Sequence, residues 1–573
     1  MSLLNKASLI QIPSGYKDGT LYSAKPTNGD GDFTFSRGSN LAATRVNSEG
    51  LIEKGRENLL LQSNSFDTTW SNNNTTETSG QADKDGGTDA WLVNSTASFG
   101  SIVQSISNTN GVYSLSVYAK AGTNNWMLLR MLGSSSSRAW FDLENGVLGS
   151  TDGPTIESKI ESVGGGWYRC SVTGNMTSFS QVLIYPTNAN LVVGTSGSII
   201  IQDAQLENGL VATDYIETTT TTAQAGILED MPRLDYSGGA SCPALLLEPQ
   251  RTNKIPHSEY LNAVTKSNVT INTNSDISPE GVQNAHNVIA NATNSDHLFF
   301  QSSMGGSTNA NTQTIYAKAN GYDWIYIRFD IPTKRAFFNV ANGTLGTADS
   351  GITHTIKNVG NGWYRCSATM TTTNYANAVL GLASADNTDN FLGDGTSGVL
   401  MYGWQSEEAS YPTSYIPTYG SSVTRGSDIA TNDNVNLIGL DEFTFLWDGV
   451  LDSPRNGSGT FAHLTLDGTI GFKGASNTDI RVDVVGSGNF AKGTSVQTLT
   501  EGRHKLLLKM SASGTGKVFI DGSEISGGIT YSGTTFTTDD GKLDGGSYKQ
   551  NVNKVLVFPT DLTDAECIAL TTI

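Results

Sequence analysis

The sequence predicts an all-β protein made of tandem antiparallel β-sandwich or jelly-roll domains. Apolar and polar residues alternate from Tyr113 to Ala119, the period of two expected for a half-buried strand. Asn145-Gly146 and Asn342-Gly343 each follow a strand-like stretch and are typical of tight hairpin turns. The 63 glycines accompany 9% aromatic residues, so they indicate turns between packed strands and not disorder.

One domain occurs twice in the sequence. The segment Gly165–Cys170 (GGWYRC) recurs as Asn361–Cys366 (NGWYRC), and Tyr118–Ala121 (YAKA) recurs as Tyr316–Ala319. The two copies lie about 200 residues apart, a spacing that fits a whole domain and is too long for a solenoid repeat. We therefore predict two copies of one sandwich.

The chain is divided into five predicted segments. Few strand-like stretches occur before residue 57, which indicates a lead-in that attaches the protein to a partner. Gly226–Glu229 (GILE) echoes Gly50–Glu53 (GLIE), so either the lead-in was copied with the domain or the first domain was inserted into the lead-in. The threonine run 218–222 has the composition of a linker. The predicted segments are 1–56 (lead-in), 57–225 (first repeat), 226–249 (bridge), 250–420 (second repeat) and 421–573 (a third, unrelated sandwich).

The third sandwich has its own local signals. Lys505–Met510 alternates between charged and apolar residues, and Val555–Phe558 has the composition of a fully buried strand. Asp521-Gly522 follows another strand-like stretch and predicts a turn. Thr563 and Glu566 stand at the two positions of a capping box, which predicts a short C-terminal helix.

Composition limits the classes of partner. The net charge of −19 disfavours nucleic acid and anionic lipid, because an acidic surface repels phosphate. No apolar stretch reaches the ~18 residues of a membrane span, and residues 1–20 do not resemble a signal peptide, so we expect synthesis in a cytoplasm. Acidic loops could hold Ca²⁺, but the sequence has no D-x-D-x-D-G loop, so we expect no cofactor and no metal.

The four cysteines are predicted to be free thiols. Cys170 and Cys366 occupy equivalent positions in separate copies, so they cannot pair with each other. With no pair of cysteines inside any one repeat, neither a disulfide framework nor a zinc site is expected.

Three groups of residues resemble virion proteins of bacteriophages. Gly31–Arg37 with Ala43–Asn47 resembles the lead-in of phage tail and head fibre proteins, and Cys242–Asn253 looks like its continuation. Gln405–Glu407 with Thr413–Thr418 resembles the closing motif of phage sandwich domains that are similar to carbohydrate-binding modules. Val518–Gly522 and the ending Leu562–Glu566 are similar to concanavalin-A-like or laminin-G-like lectin sandwiches.

The resemblance implies a virion structural protein of the fibre or spike type that binds host-surface polysaccharide. It further implies contacts with other virion proteins through the lead-in, a homo-oligomer for which a trimer is one option, and location in the virion. A head fibre, decoration protein or tail component without sugar binding is the alternative. A polysaccharide depolymerase is a third, less favoured hypothesis, because two carboxylates suffice for glycoside hydrolysis and the chain has 54 acidic residues.

We expect no enzyme activity and predict no catalytic residues. The six histidines are scattered, and neither H-E-x-x-H, G-x-S-x-G nor a P-loop is present. Arg169 and Arg365 stand at equivalent positions, and we predict that they form buried ion pairs with Glu207 and Glu407.

Candidate sugar-contacting residues follow from aromatic rings that lie near arginines on predicted strands. Trp126 alternates with Arg130, and their counterparts Trp324 and Arg328 do the same in the second copy; Trp140, which corresponds to Phe337, is a further candidate. An exposed ring can stack on a pyranose while a neighbouring polar group bonds its hydroxyls, but aromatic residues also pack in cores. Both interpretations stay open here for these residues, whereas Trp167 and Trp363 are predicted to be core residues.

Overall fold

The structure is a computed structural model, and it describes most of the chain. The described residues are 3–17, 19–38, 41–305, 309–330, 333–371, 375–451, 460–465, 468–474, 479–486, 496–498, 502–530, 536, 540–546 and 549–573. Their strands pair in antiparallel fashion in several stacked sheets, which confirms the all-β tandem sandwich fold class. One α-helix is described, Asp564–Thr571, and its N-terminus has the predicted capping box of Thr563 and Glu566.

Short strands and two 3-10 turns occur in the lead-in and around the bridge. In the lead-in the elements are Leu3–Lys6 (3-10), Leu9–Gln11, Tyr16–Lys17, Thr20–Leu21, Phe33–Ser36, Thr44–Val46, Ile52–Lys54 and Arg56–Asn58. Around the bridge they are Ala223–Ala225, Arg233–Asp235, Ala244–Leu247, Arg251–Asn253 and Leu261–Ala263 (3-10).

The first repeat is a two-layer sandwich whose layers share two long strands. Ser101–Ala121 and Trp167–Thr187 run through both layers, pairing Val117 with Cys170 in one layer and Val103 with Leu183 in the other. The apolar faces of the layers enclose one core. The strands are Ser71–Asn73, Thr75–Gln81, Ala90–Ser95, Ser101–Ala121, Trp126–Leu132, Ser136–Asp142, Val147–Asp152, Thr155–Gly164, Trp167–Thr187 and Gly197–Asn208.

The second repeat has the same strand order in two separate sheets. Trp363–Thr371 and Asn377–Ala383 lie in different layers here, where the first repeat has one continuous strand. Ile315 pairs with Cys366, as Val117 pairs with Cys170 in the first repeat. The strands are Thr265–Ser267, Val269–Asp276, Ala285–Ala290, Asn294–Ser302, Ala310–Asn320, Trp324–Phe329, Lys334–Asn339, Thr344–Ala348, Ile352–Gly360, Trp363–Thr371, Asn377–Ala383, Asn390–Leu392, Gly398–Glu407 and Val423–Arg425.

The C-terminal sandwich is assembled from three distant parts of the chain. Leu9–Gln11 and Ala244–Leu247 pair with Gln550–Phe558, and Phe33–Ser36 pairs with Ile429–Asn432. Its own strands are Ile429–Asn432, Phe443–Leu451, Thr460–Thr465, Gly468–Gly474, Asp479–Gly486, Val496–Thr498, Gly502–Met510, Thr515–Ile520, Ser523–Thr530, Asp540–Asp544 and Gln550–Phe558.

This pairing corrects the prediction that residues 1–56 form a separate attachment segment and that residues 226–249 only bridge two domains. Leu9, Phe33 and Phe35 from the lead-in and Leu245 and Leu247 from the bridge are buried in the core of the C-terminal sandwich. Sequence periodicity cannot detect such pairing, because the strands of the lead-in are only two to four residues long. The boundaries of the two repeats stay predictions.

Five charged side chains with no exposed surface join these parts, and we call them the five-charge cluster. Its members are Arg37, Arg233, Glu248, Arg425 and Asp428. Glu248 Oε2 lies 2.9 Å from Nη1 of both Arg233 and Arg425, and Asp428 contacts Arg233 and Arg37. Burial alone raises the pKa of Glu248, but Arg425 and Arg233 outweigh it and hold the pKa well below its usual range. The cluster therefore holds Glu248 in its charged form.

We expect Glu248→Gln to lower the free energy of unfolding by about 3–5 kcal/mol at pH 7, the usual cost of breaking a buried ion pair. A carboxyl pKa held low in the folded state contributes stability that is complete above its ordinary value of 4.5 and is lost as the pH falls towards the folded value. The difference in free energy of unfolding between wild type and variant should therefore be smaller at pH 3.5 than at pH 7. Chemical denaturation at both pH values measures it.

The matched control is Glu524→Gln, which removes half of an exposed ion pair with Lys517. This change should cost less than about 1 kcal/mol. An equal loss for the two variants, or an unchanged gap at pH 3.5, would contradict a stabilising role for the charged form of Glu248.

The four cysteines are free, as the sequence predicts, and three of them are buried. Burial raises the pKa of Cys170 and Cys366 well above the usual range and that of Cys567 to about 12. Because the thiolate is the reactive form, we expect one fast-reacting thiol per native chain, that of exposed Cys242, and four in denaturant. Titration with a disulfide reagent counts them; Cys242→Ser should remove the fast phase, and a remaining fast phase would contradict this assignment.

Candidate functional site

A cluster of apolar side chains lies on the outer side of one sheet in the first repeat, and we call it outer patch 1. Trp126, Leu128 and Arg130 alternate with the core residues Met127 and Leu129 along one strand, so they face away from the core. Strand register places Trp140 and Tyr185 on either side of Leu128. The patch consists of buried Leu128, Trp140, Leu183 and Tyr185 with partly buried Val103, Trp126, Leu132 and Val193.

The loop that follows Thr187 covers one end of outer patch 1. Trp140 Nε1 donates to the Val192 carbonyl at 2.8 Å. Asn190 Oδ1 accepts from the Ser150 backbone at 2.9 Å, and the Trp126 ring packs beside Gly149 in the same strand. Trp126 stays half-buried at the edge of this cover.

Two arginines stand side by side at the open end of outer patch 1. Register pairs Arg130 directly with Arg138 on the next strand. Arg138 forms an ion pair with Asp152 at 3.0 Å. Arg130 donates to the hydroxyl of Ser136, with Nη2 at 3.0 Å, and among the described residues no carboxylate forms an ion pair with it.

The second repeat has an equivalent outer patch 2. Its buried members are Leu298, Tyr326, Phe337, Val379 and Ala383, with partly buried Phe300 and Trp324. Trp324 packs beside Gly346 as Trp126 does beside Gly149. Arg328 and Arg335 are again directly opposite one another across two strands.

The arginines of outer patch 2 are matched by carboxylates. Arg328 Nε lies 2.9 Å from Asp330 Oδ1, and Arg335 Nε lies 3.1 Å from Asp389 Oδ2. Asp386 lies beside Trp324, at the position that Asn190 occupies in the first repeat. Its carboxylate accepts hydrogen bonds from the backbone N–H and the hydroxyl of Thr347. The two patches therefore share their shape and differ in charge.

The structure brings four of the five candidate sugar-contacting residues to outer surfaces and corrects the fifth. Trp126 and Arg130 belong to outer patch 1, Trp324 and Arg328 to outer patch 2, and all four side chains are half-buried. Trp140 is only 2% exposed, because the loop at Val192 covers its indole. It supports the floor of the patch and has no free ring face for a sugar, and Phe337 at 1% exposure does the same in the second repeat.

The predicted ion pairs of Arg169 and Arg365 are wrong. Arg169 and Arg365 donate to the backbone carbonyls of Thr213 and Thr413 and lie over the rings of Tyr118 and Tyr316. Their predicted partners accept from a threonine instead, as Glu407 does from Thr413 N at 2.8 Å and Oγ1 at 2.7 Å. These contacts, with Trp167 and Trp363 each 2% exposed, make the repeated motif structural.

A second group of charged residues lies where the lead-in meets both repeats, and we call it the junction cluster. Lys54 Nζ lies 2.7 Å from Glu259 Oε1 and 3.1 Å from Glu280 Oε2, and Arg56 contacts Glu280 and Glu207. Tyr402, Tyr415 and Tyr419 direct their hydroxyls at the same carboxylates.

The junction cluster brings two carboxylates together, as glycoside hydrolysis requires, but it encloses them. The side chains of Glu259 and Glu280 are 1% and 2% exposed, and each is hydrogen-bonded to Lys54 or tyrosine. Burial raises the pKa of Glu259 and outweighs Lys54; for Glu280 burial acts the same way, but Lys54 and Arg56 outweigh it and lower the pKa. A cleft of about 130 Å³ borders the cluster at Arg56 and Tyr419 without reaching either carboxylate as a lining residue. The geometry is that of a structural ion network.

Sequence reasoning missed several members of both sites. Tyr185, Arg138 and Tyr326 also belong to the outer patches. Alternate residues of a strand share a face, so these side chains could have been identified only with the strand register, which the sequence alone does not give. Lys54 and Glu259 have no local pattern that links them, because they lie far apart in the sequence. Within the described residues no group of three or more His, Cys, Asp or Glu side chains is placed to hold a metal ion, and no helix is long and apolar enough to cross a membrane.

Comparison with known proteins gives structural likenesses alone. No protein-family model and no curated protein match the chain. A CBM22 tandem domain from Paenibacillus barcinonensis Xyn10C aligns at 12% identity over 64% of this chain and 97% of its own, with a TM-score of 0.23. A putative carbohydrate-binding protein from Bacteroides ovatus aligns at 10% identity over 47% of this chain and 81% of its own, with a TM-score of 0.19.

A Trypanosoma rangeli sialidase aligns at 10% identity over 94% of this chain and 97% of its own, with a TM-score of 0.19. At such scores none of these likenesses decides between binding and catalysis, and that question has to be settled from the residues of this chain.

We expect Lys54→Met to lower the free energy of unfolding by about 3–5 kcal/mol, because it leaves two buried carboxylates without their shared cation. Chemical denaturation measures the loss. The control is Lys318→Met, which breaks a half-exposed pair with Asp276 and should cost less than about 1 kcal/mol. Adding Glu259→Gln to Lys54→Met should recover part of the loss; no recovery would contradict the assignment.

Proposed function

We propose that the protein binds glycans through the outer patches of its two repeats. The observation that supports this proposal is the recurrence, at equivalent positions, of a half-buried tryptophan and an arginine on the outer side of a sandwich sheet. The apolar residues of the two outer patches lie outside the main core of each repeat, so packing of that core does not account for their presence. A tryptophan ring beside hydrogen-bonding side chains is suited to the C–H face and the hydroxyls of a sugar.

Two patches on one chain favour binding to a polymer. Each patch alone offers one half-exposed tryptophan, which suits a weak contact. When one polysaccharide chain or one surface carries many copies of the ligand, the second contact forms at a high effective concentration, and the combined affinity exceeds that of either patch.

We further propose that this binding serves a virion fibre or spike that adsorbs to host-surface polysaccharide. The motifs at Gly31–Arg37, Cys242–Asn253 and Thr413–Thr418 support this proposal through their resemblance to phage fibre proteins. Contacts with other virion proteins, expected through residues 1–56, would use the exposed side of the C-terminal sandwich, because the strands of the lead-in belong to it. Assembly as a homo-oligomer remains part of this proposal.

The proposal of a binding protein is favoured over a depolymerase because the closely spaced carboxylates of the junction cluster are enclosed and paired. A purely structural head fibre or tail component leaves the paired outer patches without a role. Release of reducing ends from a polysaccharide by the purified protein would favour the depolymerase instead.

We expect the full-length protein to bind at least one polysaccharide on a glycan array. Trp126→Ala and Trp324→Ala should each weaken binding about tenfold, the loss of one aromatic contact, and the double variant should weaken it about a hundredfold, because the affinities of two patches on one polymer multiply. Titration of the bound polysaccharide measures the affinities, and melting temperatures verify that the variants fold.

Tyr22→Ala is the matched control, since Tyr22 is an exposed aromatic residue on the C-terminal sandwich. It should leave binding unchanged. If wild type binds no glycan while it binds purified capsids or tails, the structural alternative replaces the proposed function. If both tryptophan variants bind as well as wild type, binding lies elsewhere on the chain.

A further inference from the structure

The two outer patches differ in charge beside the half-buried tryptophan and at the far end of its strand. In outer patch 1 the neighbour of Trp126 is the amide of Asn190, whereas in outer patch 2 the neighbour of Trp324 is the carboxylate of Asp386. Leu132 ends the strand of Trp126, and the corresponding end of the strand of Trp324 is followed by Asp330. The two outer patches therefore have the same arrangement of aromatic side chains but different charges around them.

The same contrast holds for the arginine pairs. In outer patch 2 each of Arg328 and Arg335 has its own aspartate, at 2.9 Å and 3.1 Å. In outer patch 1 Asp152 pairs with Arg138, and Arg130 has only the neutral hydroxyl of Ser136. Among the described residues, therefore, one positive charge at the open end of outer patch 1 is uncompensated.

Asp142, on the same face of the strand beside that of Arg130, does not supply this missing charge. Asp142 is paired in register with Trp126, four residues and roughly 13 Å along the strand from Arg130. Its oxygens accept from Glu144 N, Asn145 N and Asn145 Nδ2, which are in its own turn. The guanidinium of Arg130 is half-buried, so the cost of removing its water on binding is already partly met, and an anion there would gain a charge-assisted hydrogen bond.

We infer that outer patch 1 binds a segment of acidic polysaccharide, in which one sugar ring lies against Trp126 and the carboxylate or sulfate of a neighbouring sugar residue contacts Arg130. Outer patch 2, whose arginines are already paired, takes neutral sugar. This inference rests on the proposed function and names its ligand class. A planar guanidinium with a free edge suits both anions, because carboxylate and sulfate oxygens can each accept two parallel N–H bonds.

The experiment uses the full chain on an array of uronate-containing, sulfated and neutral polysaccharides, with carboxyl-reduced and desulfated forms of the acidic ones. We expect wild type to bind acidic polysaccharides roughly tenfold or more tightly than their neutralised forms. Arg130→Gln should remove this preference, because glutamine can still reach Ser136 but carries no charge. Carboxyl reduction and desulfation show separately which anion is recognised.

Lys159→Gln is the control, because it neutralises a partly exposed cation of the first repeat that lies outside outer patch 1, and it should leave the preference for acidic polysaccharides unchanged. Binding of wild type to the acidic forms should also weaken with added salt, whereas that of Arg130→Gln should not. Equal binding of acidic and neutralised polysaccharides, or an unchanged profile for Arg130→Gln, would overturn the inference and leave the proposed function standing. No binding to any polysaccharide would overturn both.

Discussion

The C-terminal sandwich depends on five charged side chains that have no contact with water. Arg37 comes from the lead-in, Arg233 and Glu248 from the bridge, and Arg425 and Asp428 from the chain that leaves the second repeat. Each unpaired charge at such a site would be costly, so the three parts of the chain can come together only in the arrangement that pairs them. We infer that the cluster contributes to the specificity of this assembly, since the lead-in strands are short and bury little apolar surface.

This assembly makes each repeat an insertion whose two ends return to the same sandwich. Arg56–Asn58 pairs with Ala223–Ala225 where the first repeat begins and ends, and Arg251–Asn253 pairs with Val423–Arg425 for the second. The junction cluster then connects the lead-in to both repeats through Lys54 and Arg56. Under the proposed function, two domains that are each fixed at both ends lose less freedom when they bind one polymer than two domains on flexible linkers would, which favours bivalent contact.

The sequence could predict what repeats locally and could not predict what is joined over long distances. Strand alternation, Asn-Gly turns, the duplicated Trp-Tyr-Arg-Cys motif and the capping box of Thr563 each depend on residues close in sequence, and the structure contains all of them. Incorporation of residues 9–36 into the C-terminal sheets depends on pairing with residues beyond 429. The error for Arg169 has a related cause: equal repetition of an arginine and a glutamate does not determine whether a carbonyl or a carboxylate is the nearer acceptor.

Comparison of the two copies separates residues that stability requires from residues that are free to change. Trp167 and Trp363, each with the Arg-Cys that follows, are the same in both copies and are buried or bonded to backbone. Asn190 and Asp386 differ, although both bond the backbone of the adjacent strand, so the fold tolerates either an amide or a carboxylate there. Because the fold accepts either an amide or a carboxylate beside the half-buried tryptophan, the difference in charge would act on the ligand that approaches and not on the stability of the fold. Under the proposed function, the borders of the outer patches, and not the repeated motif, are therefore where the two copies differ in the ligand that they accept.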